Sequence, residues 1–249
     1  MKLKVCTYNI HKGFSQFNRR MVIHELRDRL RSLDVDIVFL QEVQGLNIRH
    51  EVVHTNWPAH PQHVFLADEV WHQTAYGRNA IYDHGHHGNA ILSRFPILSE
   101  HNQDVSDHRF ERRGLLHCVV ALPDIAEPVH CVCVHLGLMA GSRRRQMEAL
   151  AERMEQLAPD SAPLIIAGDF NDWRNRAEEL LARRLGLVET FIRGTGRVAK
   201  SFPSKAPVLS LDRIYVRGFE IEQVKVHCGL PWSRISDHAA LTADLEIGG

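Results

Sequence analysis

Six places in this sequence of 249 residues end an apolar run on an acid, an amide or a histidine: Asn9, Glu42, His135, Asp169 with Asn171, Asp212, and Asp237 with His238. Carboxylate and amide oxygens are hard donors of the kind a divalent cation such as Mg²⁺ prefers. A carboxylate held near a cation stays ionised and can accept a proton from water. A histidine aligned by a carboxylate has its tautomer and orientation set, and can serve a developing negative charge. Taken alone, each residue also suits a blander role, such as closing a turn, a solvated loop acid or a satisfied core histidine. Their recurrence at the ends of apolar segments is what links them.

Such side chains need a rigid scaffold that gathers strand ends on one rim. The pattern supplies candidates. Lys2–Ile10 alternates as a strand, and Met21, Val22, Leu26, Leu30 and Leu33 recur at helical spacing, predicting an amphipathic helix over about 18–33. Val35–Leu40 is a short apolar strand ending at Gln41-Glu42. Residues 44–63 have no clear period and contain Pro58 and Pro61, so they read mostly as loop. Strands follow at Ala75–Tyr82, Gly88–Ser93, Gly114–Leu122 and Val129–Leu136. Ser142 is placed to cap a helix running to about Leu157. Leu164–Ala167 is a buried strand, a helix is expected near 176–185, and the last strands fall at Leu211–Val216, Ile221–Val226 and Ala239–Glu246. Helices and strands interleave throughout, which predicts one α/β domain over 1–249 rather than two in series.

Composition limits the alternatives. Thirty Lys and Arg balance thirty Asp and Glu, and 44% of residues are hydrophobic. That is an ordinary globular balance, and it argues against broad electrostatic capture of nucleic acid. No run reaches the ~18 apolar residues of a membrane span, and the first residues lack the apolar stretch of a signal peptide. Five cysteines, Cys6, Cys118, Cys131, Cys133 and Cys228, form no zinc or redox pattern and read as buried reduced thiols in a cytoplasmic protein. No obligate protein partner is evident.

The polar positions and their neighbours resemble the endonuclease/exonuclease/phosphatase superfamily. The matching segments are Thr7-Tyr8-Asn9, Gln41-Glu42-Val43, Gly88-Asn89-Ala90-Ile91-Leu92-Ser93-Arg94, Val134-His135-Leu136, Gly168-Asp169-Phe170-Asn171, Leu211-Asp212-Arg213-Ile214 and Ser236-Asp237-His238. They stand in family order across nearly the whole chain. The resemblance implies a four-layer α/β/β/α sandwich, two packed mixed β-sheets flanked by helices. It implies hydrolysis of phosphate esters with Mg²⁺, Mn²⁺ being suited to the same ligand types. By the same resemblance Glu42 is the principal metal ligand, with Asn9 beside it and Asp237 contributing directly or through water. Asp169 would activate the attacking water, Asn171 would fix its geometry or hold the phosphate, and His238, aligned by Asp212, would contact the phosphate. His135 would be a phosphate contact or an acid for the leaving group.

Secondary candidates for substrate contact are Arg113, which opens the strand at 114, Asn89, read mainly as structural, and His87. The run His84-Gly85-His86-His87 lacks the acid or cysteine spacing of a zinc site and reads as a polar rim loop touching substrate. Arg143-Arg144-Arg145 reads as a solvated helix face. Rim aromatics, Trp57, Tyr76 and Trp232, suit stacking on bases or a lipid–water interface. The expected substrate is therefore a phosphodiester, in nucleic acid or in a phospholipid headgroup. A phosphomonoester of the inositol-phosphate type is the enzymatic alternative, and a non-catalytic phosphate-binding protein on the same scaffold is the other.

Overall fold

The computed structural model describes residues 1–248. Two six-stranded sheets pack face to face. The first runs, in spatial order, β11 (Glu220–His227), β12 (Ala240–Glu246), β1 (Lys2–Asn9), β2 (Ile37–Asn47), β4 (Gly85–Ser93) and β3 (Gln73–Tyr82). The second runs β5 (Ile97–Asp104), β6 (Gly114–Val120), β7 (Val129–His135), β8 (Leu164–Asp169), β10 (Asp212–Arg217) and β9 (Val188–Glu189). Each sheet is mixed. Its one parallel pair, β1 with β2 and β7 with β8, lies near the middle, and the other pairings are antiparallel. Parallel neighbours need a crossover. Helix α1 (Ile23–Ser32) supplies it for β1 and β2, and α4 (Ala140–Leu157) for β7 and β8.

The four layers follow from strand alternation. Val5, Ile37 and Phe39 from one sheet meet Cys131, Cys133, Ile165, Ala167 and Ile214 from the other in the inter-sheet core. The intervening residues face outward. Cys6, Tyr8, Val38 and Leu40 pack under Leu26 and Leu30 of α1. Val132, Val134, Leu164 and Ile166 pack under Leu150 and Met154 of α4. Four cysteines are buried as expected, whereas Cys228 is exposed.

Several expectations need correction. The segment 44–63 is not mostly loop. β2 continues to Asn47, whose side chain accepts from His50 N at 3.1 Å and starts α2 (Ile48–Val53), and α3 (Gln62–Ala67) begins directly after Pro61. α1 starts only at Ile23, because residues 16–18 form a separate short turn with Phe17 and Asn18 at positive φ. Ser142 caps nothing: α4 begins at Ala140, and the Ser142 hydroxyl donates to Asp107 Oδ2 at 2.7 Å. The helix near 176–185 is a wide turn at Glu178–Ala182 running into the single turn α5 (Arg183–Leu185). Polar-rich β5 went unanticipated because an edge strand need not alternate. The two-residue β9 and the following α6 (Thr190–Thr195) were too short to carry a period. His86 and His87 stand within β4 rather than in a loop.

Packing leaves several histidines partly or largely out of water. On neighbouring strands, His117 Nε2 and His130 Nδ1 lie 3.0 Å apart with stacked rings, so one nitrogen must accept and one donate. Burial depresses His63, His117 and His227, each to about 4, with a neighbouring histidine or lysine adding to the effect. In the unfolded chain these groups protonate near pH 6.5. Their depressed folded values mean that stability is fully present above that pH and is lost as pH falls toward 4. The urea midpoint should therefore drop measurably between pH 7 and pH 5, and replacing His117 by Gln should flatten that dependence.

Candidate active site

Alternation also aims the polar residues. His135, Asp169 and Asp212 each sit one step beyond an inward-facing apolar residue on the same face of their strand, and Asn9 follows the inward Thr7, so all four point into the seam between the sheets. Register brings them level: His135 pairs with Asp169 across β7 and β8, and Asp212 pairs with Asp169 across β10 and β8. Glu42 breaks the period. Strict alternation would turn it outward with Val38 and Leu40. Between Leu40 and Val43, however, β2 gains one residue over β4, and Glu42 adopts φ +57°. This bulge puts Val43 on the outer face with Leu40 and turns the Glu42 carboxylate toward the seam.

The resulting contacts are continuous. The Asn9 amide nitrogen donates to Asp169 Oδ2 at 3.2 Å and more distantly to Glu42 Oε1 at 3.4 Å, while its oxygen accepts from His11 N. His238 Nδ1 lies 2.8 Å from Asp212 Oδ2, and its Nε2 lies 3.8 Å from Asp169 Oδ2. His135 Nε2 faces the same oxygen at 3.5 Å. Asn171, at φ +50°, donates its backbone N–H to Asp169 Oδ1 at 2.9 Å and its amide to Leu136 O, tying the loops after β7 and β8 together. Asp237 joins through Ser236, whose hydroxyl lies 2.7 Å from Asn9 O and 3.4 Å from Asp237 Oδ1, and it pairs with His11 Nδ1 at 3.2 Å.

Asp169, Asp212 and His238 are all buried. Burial pushes Asp169 above the ordinary carboxylate range, with the His238 charge pulling the other way. For His238 burial favours the neutral ring, but the Asp212 and Asp169 carboxylates outweigh it and hold the ring as a cation. His135 is driven well below its usual value by burial, with Arg113, His238 and His87 adding to it, so it is neutral. Burial resists ionisation of Asp237, yet its hydrogen bond from His11 and the nearby His238 keep it below the usual range.

Two oxygen-rich places compete as a seat for a divalent cation. Asp169, Asp212 and His238 offer ligand atoms within 4.8 Å of one another. A protonated imidazole with both nitrogens facing carboxylates has no lone pair to give, so that trio suits proton and phosphate chemistry instead. At Glu42 the balance is different. Among the described residues its carboxylate has only the distant Asn9 amide and the Lys12 ammonium, 3.7 Å from Oε2. A weakly hydrogen-bonded carboxylate with Asn9 and Asp237 near by is a donor set that fits a hard cation. Asn9 would have to rotate its amide to present oxygen toward Glu42.

The secondary candidates lie at varying remove. The Arg113 guanidinium donates to Leu136 O and pairs with Glu111 at 2.9 Å, beside His135. Asn89 bridges the sheets, donating to Gly114 O at 3.0 Å and Cys133 O at 3.3 Å, which is a structural position. His87 lines a pocket of about 390 Å³ with Lys12, Gln44, Asn47, His50 and His84. Arg143 is not solvated. It is buried, holds the Gly137 and Leu138 carbonyls and lies over Trp173. Trp232 is buried edge-on against Tyr8, whereas Trp57 is half-buried and stacks against Phe14. His11 and Lys12 were missed by sequence reasoning, and Ser236 was noted only as part of the Ser236-Asp237-His238 segment. Their signal was proximity alone, within three residues of Asn9 or Asp237.

Comparison with known proteins bears on this arrangement. Residues 6–238 match the model of the Endonuclease/Exonuclease/phosphatase family. The chain is 47% identical over 244 residues to the uncharacterized protein YbhP of Escherichia coli (strain K12), covering 98% of this chain and 96% of that one. Among solved structures, an endonuclease/exonuclease/phosphatase from Beutenbergia cavernae superposes with a TM-score of 0.77 at 18% identity, over 100% of this chain and 72% of that one. A mannosyl-6-phosphatase of Bacteroides thetaiotaomicron superposes with 0.74 at 16% identity, over 98% and 100%. These distant structures share the fold.

Gly168 sets up the Asp169 position. Its φ is +152°, and a Cβ there would stand 1.9 Å from Val134 O on the neighbouring strand. Gly168→Ala should destabilise the protein by roughly 2–4 kcal/mol, read as a lowered urea midpoint.

Proposed function

The chain belongs to the endonuclease/exonuclease/phosphatase family, whose members hydrolyse phosphate esters, and on that premise we propose that it is a Mg²⁺-dependent phosphodiesterase, with Mn²⁺ able to substitute. The observation that carries the reading is the buried line Asp212–His238–Asp169 set beside the Asn9–Glu42 pair. Glu42, Asn9 and Asp237 are the residues proposed to hold the ion. When bound, it would polarise the phosphoryl oxygens and stabilise the leaving oxygen.

The chain's own groups account for the rest. Asp169, fixed by the Asn171 N–H, orients the attacking water and takes its proton as the new P–O bond forms and the bond from phosphorus to the leaving oxygen breaks, the leaving oxygen taking its proton from solvent. His238, kept cationic by Asp212, donates from Nε2 to the phosphoryl oxygen as charge builds on it. Neutral His135 offers a second hydrogen bond to the phosphate, a role its depressed basicity suits better than that of a resting acid. Arg113 and His87 flank this position and are proposed to contact the parts of the substrate beyond the scissile group. The pocket around His87 has no carboxylate in its lining, which suits a polar or anionic substituent.

Nucleic acid and phospholipid headgroups both present the required diester. A phosphomonoester remains the alternative, supported by the name of the mannosyl-6-phosphatase that shares the fold. Hydrolysis of bis(p-nitrophenyl) phosphate and of p-nitrophenyl phosphate, each with and without Mg²⁺, separates the two. We expect metal-dependent turnover of the diester in preference to the monoester. Asp169→Asn should lower kcat by roughly a thousandfold with the fold intact, and His238→Ala should lower it as much while also costing stability, because it leaves buried carboxylates without their counter-charge. Near-wild-type turnover by Asp169→Asn would remove that residue from its role, and no metal-dependent turnover of either ester would favour the binding-only reading. Glu42→Gln should raise the Mg²⁺ concentration for half-activity by about tenfold or more. An unchanged requirement would place the ion elsewhere.

A further inference from the structure

The loops that ring the site have an unusual surface. Eight segments connect or flank the strand ends that carry the site: 10–22, 48–61, 83–84, 105–113, 136–145, 170–177, 201–211 and 228–239. Among the described residues seventeen large apolar side chains are exposed, and eleven of them fall in these segments. They include Val52 (87% exposed), Phe110 (83%), Phe17 (72%), Val53 (71%), Leu138 (61%) and Met139 (61%). Loops ordinarily expose polar residues, and a cluster of exposed aliphatic side chains around a mouth marks an interaction surface.

Charge is distributed to match. The same segments hold fourteen Lys and Arg against six Asp and Glu, in a chain whose totals are equal at thirty each. The remainder of the molecule is therefore acidic, and the protein is polarised toward its active end. Apolar and basic groups are also paired locally. The Arg19 guanidinium lies 5.4 Å from the centre of the Phe17 ring, and Arg109 lies 4.8 Å from that of Phe110.

We propose that this rim docks on an anionic lipid bilayer, so that the site works on a phosphate ester at the membrane surface. Aliphatic and phenyl side chains flanked by arginines suit the boundary between acyl chains and negative headgroups, where the apolar part is buried and the guanidinium meets phosphate. A nucleic acid would use the arginines, but it has no place for Val52, Val53, Leu138 and Met139. The proposal rests on the phosphodiesterase reading for its substrate class, but docking itself needs no turnover, so each can fail alone.

The test is sedimentation with vesicles of phosphatidylcholine, or of phosphatidylcholine and phosphatidylglycerol in equal parts. The wild type and Asp169→Asn should both bind the anionic vesicles, and bind them at least roughly tenfold better than the neutral ones. The quadruple variant V52S/V53S/L138S/M139S should lose roughly tenfold or more of that binding, while hydrolysing a soluble diester at the wild-type rate, which also reports that it is folded. Arg19→Glu with Arg109→Glu should weaken binding to anionic vesicles with little effect on neutral ones. Failure of the wild type to sediment with anionic vesicles would overturn the proposal. So would undiminished binding by the quadruple variant, or an oligonucleotide that displaces the protein from vesicles and binds the variant as well as the wild type.

Discussion

The site is organised around one imidazole placed between two buried carboxylates. Asp212 is fully buried and Asp169 nearly so, and an isolated ion at such depth is costly. His238 makes the arrangement tolerable by remaining protonated between them. That cation exists only where β8, β10 and the start of β12 meet, so the charge balance ties the local chemistry to both sheets. The neighbouring groups complete it. Asn9 places one amide against Asp169 and Glu42 together, and Asn171 locks the Asp169 orientation from the following loop.

Period-two alternation does the aiming, and the same property builds the core. The inward residues of β7, β8 and β10 are apolar for most of each strand and turn polar at the last or first inward position, and β1 turns polar over its last two, Thr7 and Asn9, so the core grades into the site within one or two residue steps. Glu42 is the exception that tests this account. Alternation alone would have pointed it at α1 and α3, and the bulge with positive φ reverses it. A non-glycine residue in that backbone region carries strain, which is consistent with a position held for function rather than for packing.

Much of this was legible in the sequence. The central strands announced themselves as apolar runs, with alternation in Lys2–Ile10, and α1 and the body of α4 by helical spacing. The polar residues were visible because each ended an apolar run. What was hidden had physical reasons. The Glu42 bulge depends on the partner strand β4, and no local pattern in Gln41-Glu42-Val43 encodes the register slip. β5 is an edge strand with polar residues on both faces, so it gave no period. Arg143 read as one of three solvated arginines because the Trp173 ring that covers it comes from a loop distant in the sequence, and its bonds to the Gly137 and Leu138 carbonyls depend on how the chain turns into α4. His11 and Lys12 became interesting only once Asp237 and Glu42 were found beside them.

The position of β12 has a consequence for how the molecule must be made. This strand, residues 240–246, lies between β1 and β11, pairing with residues 2–7 on one side. Asp237 and His238 directly precede it. During synthesis the first-made strand thus waits for almost the whole chain to emerge before its open edge is paired, and the buried acids wait as long for their cation. Pairing across such a sequence distance makes folding slow relative to helical proteins of this size. It also means that any nascent or clipped chain ending before residue 237 would hold a nearly finished core around carboxylates with no counter-charge.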